Sequence, residues 1–195
     1  MGIQKYQRAI QELFDKSPVV DFKSIKRIIS EKNNSSQYTK QLIRNLIKQG
    51  KIKKICKGKY TSLNENSLAV FCFQPAYLGL QDALSFHNLW EQETIPIIIT
   101  SRNVRVGTKK VLDSNVLIKK VSKKYLFGFE YYKQDNLALP YSDIEKTFID
   151  MIHFKQQITK ETLMETKKKL DKKKLKVYLN KYPKIFQKRV LKIIT

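Results

Sequence analysis

One stretch, Ser35–Ser62, limits the fold of this chain more than any other. Its first half, SSQYTKQLIRNLIKQG, has apolar side chains at the spacing of one helix face. These side chains are Leu42, Ile43, Leu46 and Ile47, with Thr39 beneath them. Ser35 or Ser36 can cap the start of this helix, and Gly50 can end it in the left-handed conformation. The pattern predicts an amphipathic helix with a continuous polar face.

The second half of the stretch predicts a β-hairpin rich in lysine. Two short β-like runs, Lys51–Cys56 and Lys59–Ser62, are joined by a tight turn at Lys57-Gly58. A helix with long polar side chains outward, followed by such a hairpin, is typical of the recognition helix and wing of a winged helix-turn-helix.

Two further helices are predicted before this stretch. The first covers Tyr6–Lys16, and Ser17-Pro18 ends it. Asp21 is predicted to cap the second, Phe22–Glu31, and Lys32–Ser35 is a turn of suitable length for a helix-turn-helix. The sequence therefore predicts a winged helix-turn-helix DNA-binding domain over residues 1–63. A small α+β module that binds a protein with the same core is the alternative.

The polar face and the hairpin supply two kinds of DNA-contacting side chain. Amides can pair with adenine edges and a guanidinium with guanine, whereas ammonium groups mainly neutralise phosphates. The predicted DNA-binding residues are Gln37, Tyr38, Lys40, Gln41, Arg44, Asn45, Lys48, Lys54, Lys57 and Lys59. For any single residue, a solvated side chain without DNA contact is the alternative.

Charge is distributed unevenly along the 195 residues, whose net charge is +22. Residues 1–63 carry 15 basic and 4 acidic side chains, residues 64–153 carry 10 of each, and residues 154–195 carry 14 and 3. Two strongly basic ends flank a neutral middle, which favours a polyanionic partner such as nucleic acid. A lysine-rich genome bias would explain the excess of lysine over arginine but not the neutral middle.

Residues 68–195 are predicted to form a second, α+β domain with a small, mostly antiparallel sheet. Leu68–Phe73 suits a buried strand or a hinge, and a helix is predicted over 77–90. The predicted strands are Pro96–Thr100, Val104–Val106, Lys109–Leu112, Val116–Val121, Tyr125–Tyr132 and Leu137–Leu139. Ser142 and Glu145 fit a capping box at the start of the next helix.

Three helices are predicted at the end of the chain: Lys160–Leu170, Lys172–Tyr182 and Lys184–Ile194. Their leucines keep helical spacing within a lysine-rich run, which indicates a basic helical surface rather than a disordered tail. The lysines predicted as a second phosphate-binding surface are Lys167, Lys168, Lys172, Lys173 and Lys174.

The usual catalytic, cofactor and metal motifs are absent from the sequence. It has no phosphate-binding glycine loop, nucleophile elbow or HExxH. His87 and His153 are expected to be structural, and Cys56 and Cys72 are expected to form neither a disulfide nor a zinc site. We therefore expect no enzyme activity, no cofactor and no metal. No apolar run is long enough to span a membrane, and a cytoplasmic location is expected.

The order of motifs after the hairpin resembles a known family. Lys57-Gly58-Lys59-Tyr60 precedes YLGLQDALSFHNL at residues 77–89, then an Ile95-Pro96 strand, a strand with Gly128, and DIEKTFID at residues 143–150. Over roughly residues 5–190 this resembles the AbiEi family of abortive-infection antitoxins, regulators of type IV toxin–antitoxin systems. The resemblance implies a repressor that binds inverted repeats in its own promoter and counters a nucleotidyltransferase-like toxin.

Two other functions are compatible with the sequence. One is a standalone winged-helix transcriptional regulator that has no toxin partner. The other is an RNA-binding module in which Tyr60, Tyr77 or aromatic residues of Tyr125–Tyr132 stack on bases.

Overall fold

The computed structural model describes residues 2–29, 35–134 and 137–194. The chain divides into two compact units. The first comprises Met1–Cys72 with Lys110–Ser114, and the second comprises Phe73–Lys109 with Asn115–Thr195. Helices and strands are both present in quantity, so the predicted α+β class is confirmed.

The first unit combines helices with a small sheet. In chain order its elements are α1 (Gly2–Lys16), β1 (Val20–Asp21), α2 (Phe22–Ile28), α3 (Ser35–Lys48), β2 (Lys53–Cys56), β3 (Lys59–Thr61) and a 3-10 helix (Asn66–Cys72). The predicted helices at α1 and α3 and the predicted hairpin are confirmed. The predicted end of the second helix at Glu31 and the start of the turn at Lys32 lie outside the described residues.

The small sheet is antiparallel, in the order β1-β3-β2. Val20 pairs with Tyr60, and Lys54 pairs with Tyr60 from the other side. The sequence did not predict β1, because a strand of two residues is too short to show alternation. Asp21 precedes α2 as predicted but its side chain makes no cap bond; its carboxylate accepts from Lys59 Nζ at 2.8 Å instead.

Apolar side chains from all three helices and the sheet form the core of the first unit. The buried members include Tyr6, Ile10, Phe14, Val20, Ile25, Leu42, Ile43, Leu46, Ile52 and Tyr60. Most of the predicted inner face of α3 is thus confirmed, and Thr39 is buried with it. Ile47 was wrongly predicted to face inward. It is 38% exposed, because at 100° per residue it lies at the margin of the face centred on Thr39 and Leu46.

A disulfide joins Cys56, at the end of β2, to Cys72, at the end of the 3-10 helix. The prediction that these cysteines stay unpaired is therefore wrong. Their spacing in sequence matches no recognised motif, so only the fold shows that they meet. Leu68–Phe73 was also predicted as a strand or hinge, but most of it belongs to the buried 3-10 helix.

The larger sheet has six strands in the order β6-β7-β5-β4-β9-β8. They are β4 (Ala76–Leu78), β5 (Ile97–Thr100), β6 (Gly107–Val111), β7 (Ser114–Lys120), β8 (Phe129–Gln134) and β9 (Leu137–Ser142). β4 pairs with β9 and β5 with β7 in parallel, whereas β4–β5 and β8–β9 are antiparallel. The sheet is therefore mixed, with two parallel pairs that the sequence did not predict. The wholly buried run of β5 is the signal that favours parallel pairing.

The helices of the second unit are α4 (Gln81–Phe86), α5 (Ile144–His153), α6 (Lys160–Lys169), α7 (Lys172–Leu179) and α8 (Lys184–Ile194). The long helix predicted over 77–90 is instead β4 followed by the short α4. Leu80, with φ of 58°, turns the chain between them. The strand predicted at Tyr125–Tyr132 begins only at Phe129, after a 3-10 helix at Lys123–Tyr125.

The predicted capping box at Ser142 is displaced by one residue. Asp143 is the N-cap of α5, and its Oδ1 accepts from the backbone N–H of Lys146 at 2.7 Å. Ser142 ends β9, and its hydroxyl is 2.7 Å from the hydroxyl of Thr147. Aspartate and serine are about equally favourable N-caps, so residue type alone did not distinguish the two positions. Residues 145–152 are all buried, so α5 is the central helix of this unit.

Candidate nucleic-acid interface

Helix α3 presents a polar face opposite its buried one. The helix is held in the core by Leu42, Ile43 and Leu46, which turns the other side outward. The exposed predicted DNA-binding residues on this helix are Gln37, Lys40, Gln41, Arg44 and Lys48. They give one surface both hydrogen-bonding amides and positive charge.

Two predicted members of this face are less available. Asn45 is half-buried, and its Oδ1 accepts from Gln41 Nε2 at 3.2 Å. Tyr38 is also half-buried, with its ring against the edge of Tyr6 at 6.2 Å between centroids. Tyr38 therefore stabilises the packing of α1 on α3, and its part in the interface is limited to its exposed portion.

The hairpin turn adds a second group of lysines. Lys54 and Lys57 are exposed, and Gly58 takes φ of 80°, which a residue with a Cβ rarely adopts. Lys59 differs from them, since its ammonium group already pairs with Asp21. Lys54 and Lys57 have no carboxylate partner among the described residues, so their charges are uncompensated.

The start of α2 lies against this turn. The backbone N–H of Phe22 donates to the carbonyl of Gly58 at 2.8 Å. Lys23, the next residue, is exposed beside the turn and shares a cleft with Lys40 and Lys57. Sequence reasoning missed Lys23, because the contact joins residues far apart in the chain.

The five C-terminal lysines predicted as a second phosphate-binding surface differ in their exposure and in their partners. Lys174 Nζ lies 3.0 Å from Asp143 and 3.5 Å from Glu145, so its charge is neutralised within the unit. The hydrogen bond to Asp143 and the charge of that carboxylate raise the pKa of Lys174, against the opposing effect of burial. Lys168 pairs with Glu165 at 2.6 Å. Lys172 and Lys173 remain exposed, and Lys167 is half-buried.

The acidic residues of α5 belong to a buried network. Lys146 and Asp150 form an ion pair in which both side chains are 0% exposed. The Tyr77 hydroxyl donates to Asp150 at 2.6 Å, and Lys146 Nζ donates to the Tyr182 hydroxyl at 3.2 Å. Burial raises the pKa of Asp150 and lowers the pKa of Lys146. These groups face one another and not solvent, so they suit a structural role rather than substrate contact.

Asp143 and Glu145 are also fully engaged. Asp143 accepts from the Tyr178 hydroxyl at 2.7 Å, and Glu145 accepts from the backbone N–H of Asp171 at 2.8 Å. In the part of the chain that the structure describes, no three His, Cys, Asp or Glu side chains are placed to hold a metal ion. None of the described helices is both long and apolar enough to cross a membrane.

The aromatic residues considered for base stacking are mostly inside the protein. Tyr60, Tyr77 and Tyr125 are buried, and only Tyr131 of the predicted aromatic strand is largely exposed. His87 and His153 are half-buried: His87 Nε2 lies 2.8 Å from the carbonyl oxygen of Ser142, and His153 packs against Tyr125 and Phe186.

Comparisons with known proteins show a shared fold. No family model and no curated protein matches the chain. Among solved structures, the chain is similar to the RV2827C protein from Mycobacterium tuberculosis, with a TM-score of 0.63 and 13% identity. The match covers 98% of this chain and 76% of that one. At this identity the likeness concerns the fold alone.

Proposed function

We propose that the chain binds double-stranded DNA through a winged helix-turn-helix in its first unit. In this proposal α2 and α3 are the helix-turn-helix, α3 enters the major groove, and the turn between β2 and β3 is the wing. The element order and the β1-β3-β2 sheet support it. The observation that carries it is the outward face of α3, where exposed amide, guanidinium and ammonium groups lie together.

The chemistry of that face assigns different tasks to its residues. Gln37 and Gln41 can bond adenine at N6 and N7, and Arg44 can bond guanine at O6 and N7. Lys40, Lys48, Lys54 and Lys57 neutralise phosphates and add affinity without sequence preference.

We further propose that the protein is a cytoplasmic transcriptional repressor and antitoxin. It would bind inverted repeats in its own promoter and counter a nucleotidyltransferase-like toxin. The motif resemblance between residues 57 and 150 supports this role, and the DNA-binding surface suits it. A standalone regulator would share the same DNA surface, and the adjoining reading frame distinguishes the two: an antitoxin is expected beside a gene with a nucleotidyltransferase signature.

The test is a binding comparison at about 200 mM salt, where non-specific phosphate contacts are weakened. The probes are duplex DNA from upstream of the gene, a scrambled duplex and single-stranded RNA. The upstream duplex is expected to bind most tightly. Arg44→Ala should cost about 1–3 kcal/mol on that duplex and relax its specificity at one base pair. Equal affinity for the upstream and scrambled duplexes would refute the repressor, and tighter RNA binding would refute DNA recognition.

A further inference from the structure

A cleft of about 590 Å³ lies in the first unit between the start of α2, helix α3 and the hairpin turn. Phe22 and Tyr60 supply its apolar surface, with the backbone of Gly58 between them. Three lysines line it: Lys23 from α2, Lys40 from α3 and Lys57 from the turn. The cleft thus combines an apolar floor with a cationic rim contributed by three different elements.

The walls of the cleft are tied together by short-range bonds. The Phe22 N–H to Gly58 carbonyl hydrogen bond, 2.8 Å long, holds α2 to the turn. Beside it, the Asp21–Lys59 ion pair and the pairing of Asp21 with Lys59 join β1 to β3. The cleft is therefore preformed, which lowers the entropic cost of binding a ligand there.

The rim is positively charged and unneutralised. Lys23, Lys40 and Lys57 are all exposed and make no ion pair with any residue that the structure describes. The carboxylate that lines the cleft, Asp21, is itself engaged by Lys59. Three ammonium groups around an apolar floor complement a ligand that has anionic groups on either side of a ring with an apolar C–H face.

We propose that this cleft seats one sugar–phosphate unit of the DNA backbone, with the deoxyribose on Phe22 and Tyr60 and the flanking phosphates on the three lysines. This rests on the proposed DNA binding and deepens it. Lys40 lies on the same helix as Gln41 and Arg44, one and four residues away. When the DNA backbone is held at Lys40 and Lys57, the position of α3 along the major groove is fixed. Lys23 and Phe22 line the same cleft and therefore act as positioning residues for base recognition.

The experiment compares two triple variants of the full chain that remove the same charge. The cleft variant is K23Q/K40Q/K57Q, and the control is R8Q/K16Q/K26Q, whose residues lie in the first unit but do not line the cleft. The slope of log affinity against log salt is expected to fall by about 1.8 in the cleft variant, since each of the two flanking phosphates contributes about 0.9. The control slope should change little, and K23R/K40R/K57R should keep the wild-type slope.

A second measurement locates the contact on the DNA. Single phosphates of the upstream duplex are replaced in turn by neutral methylphosphonates. One or two adjacent positions per site should lower wild-type affinity, and the same positions should have no effect on the cleft variant.

The outcomes separate this proposal from the DNA-binding function itself. If the wild-type protein binds DNA but the slope of log affinity against log salt falls by the same amount in both triple variants, the cleft has no special role and the proposal is wrong. If a free nucleoside monophosphate occupies the cleft in wild type and not in the cleft variant, without displacing DNA, the cleft is a nucleotide site and the proposal is also wrong. If the wild-type protein binds no DNA, the proposed function fails first.

Discussion

Three lysines on α3 and the hairpin turn are unpaired among the described residues, whereas two lysines of the second unit are paired with carboxylates. On α3 and the hairpin turn, Lys40, Lys54 and Lys57 end in solvent without a carboxylate partner among the described residues. In the second unit, Lys146 and Lys174 end on the carboxylates of Asp150 and Asp143. Lys174 belongs to the basic segment 154–195, so equal net charge at the two ends of the sequence does not mean equal capacity for a polyanion. The unpaired lysines of the first unit can bind an anionic partner, whereas the paired lysines of the second unit form ion pairs within the protein.

The largest effect is expected from breaking the buried pair. Lys146→Met leaves Asp150 as a buried carboxylate without its counter-ion and should destabilise the protein by about 3–5 kcal/mol. Denaturant unfolding of the full chain measures it. DNA affinity of the protein that remains folded should not change, because Lys146 has no exposed surface.

The double variant K146M/D150N provides the matched control. Asparagine keeps an oxygen that can accept from the Tyr77 hydroxyl but carries no charge, so much of the lost stability should return. If the double variant were as unstable as the single one, the cost would come from lost packing at Lys146 and not from an uncompensated charge.

The next effect concerns the disulfide of the first unit. Cys56 and Cys72 are 16 residues apart, and closing a loop of this size stabilises a fold by about 3 kcal/mol in the chain-entropy model. Reduction with a dithiol, or the C56S/C72S variant, should lower the unfolding free energy of the oxidised protein by that amount. Identical stability of the oxidised and reduced protein would show that the bond contributes nothing. Since cytosolic thiols are normally kept reduced, both forms need to be measured.

A smaller effect separates two glycines with the same backbone conformation. Gly128 has φ of 69° and Gly50 has φ of 70°, but a Cβ on Gly128 would lie 2.8 Å from Lys146 Cβ, whereas nothing lies within 4 Å of Gly50. Alanine should cost about 1–2 kcal/mol at either position for the left-handed conformation. Gly128→Ala should cost a further 1–3 kcal/mol or so for overpacking. If thermal unfolding showed the same loss of stability in both variants, the side chains around Lys146 would move at little cost to make room for the added methyl group.

Sequence periodicity could predict the first unit better than the second. The inner face of α3 and the turn at Lys57-Gly58 depend on neighbouring residues, and both are as predicted apart from Ile47, which is exposed. The partners of Lys146 and Asp150 include Tyr77 and Tyr182, which are 73 and 36 residues away. No local pattern reveals such contacts, and a lysine in DIEKTFID looks like a surface residue. The order of strands in the mixed sheet also depends on pairs of strands that are far apart in the sequence.

The smallest effect tests whether pairing a lysine withdraws it from DNA binding. Lys59 Nζ is held by Asp21 at 2.8 Å, with Lys59 about a third exposed and Asp21 more so. Asp21→Asn should cost only about 0.2–1 kcal/mol of stability, as is usual for an exposed ion pair. It also frees the ammonium group of Lys59 and removes a negative charge beside the β2–β3 hairpin.

Affinity should therefore rise by a similar factor for the upstream and scrambled duplexes, with a steeper salt dependence, because a phosphate contact adds no sequence information. Glu12→Gln on α1 is the matched control: it breaks the exposed Arg8–Glu12 pair and changes the net charge equally, but away from the wing. A gel-shift titration at several salt concentrations measures both variants. If both raised affinity equally, the effect would be one of overall charge, and the distinction between paired and available lysines would not hold even within the first unit.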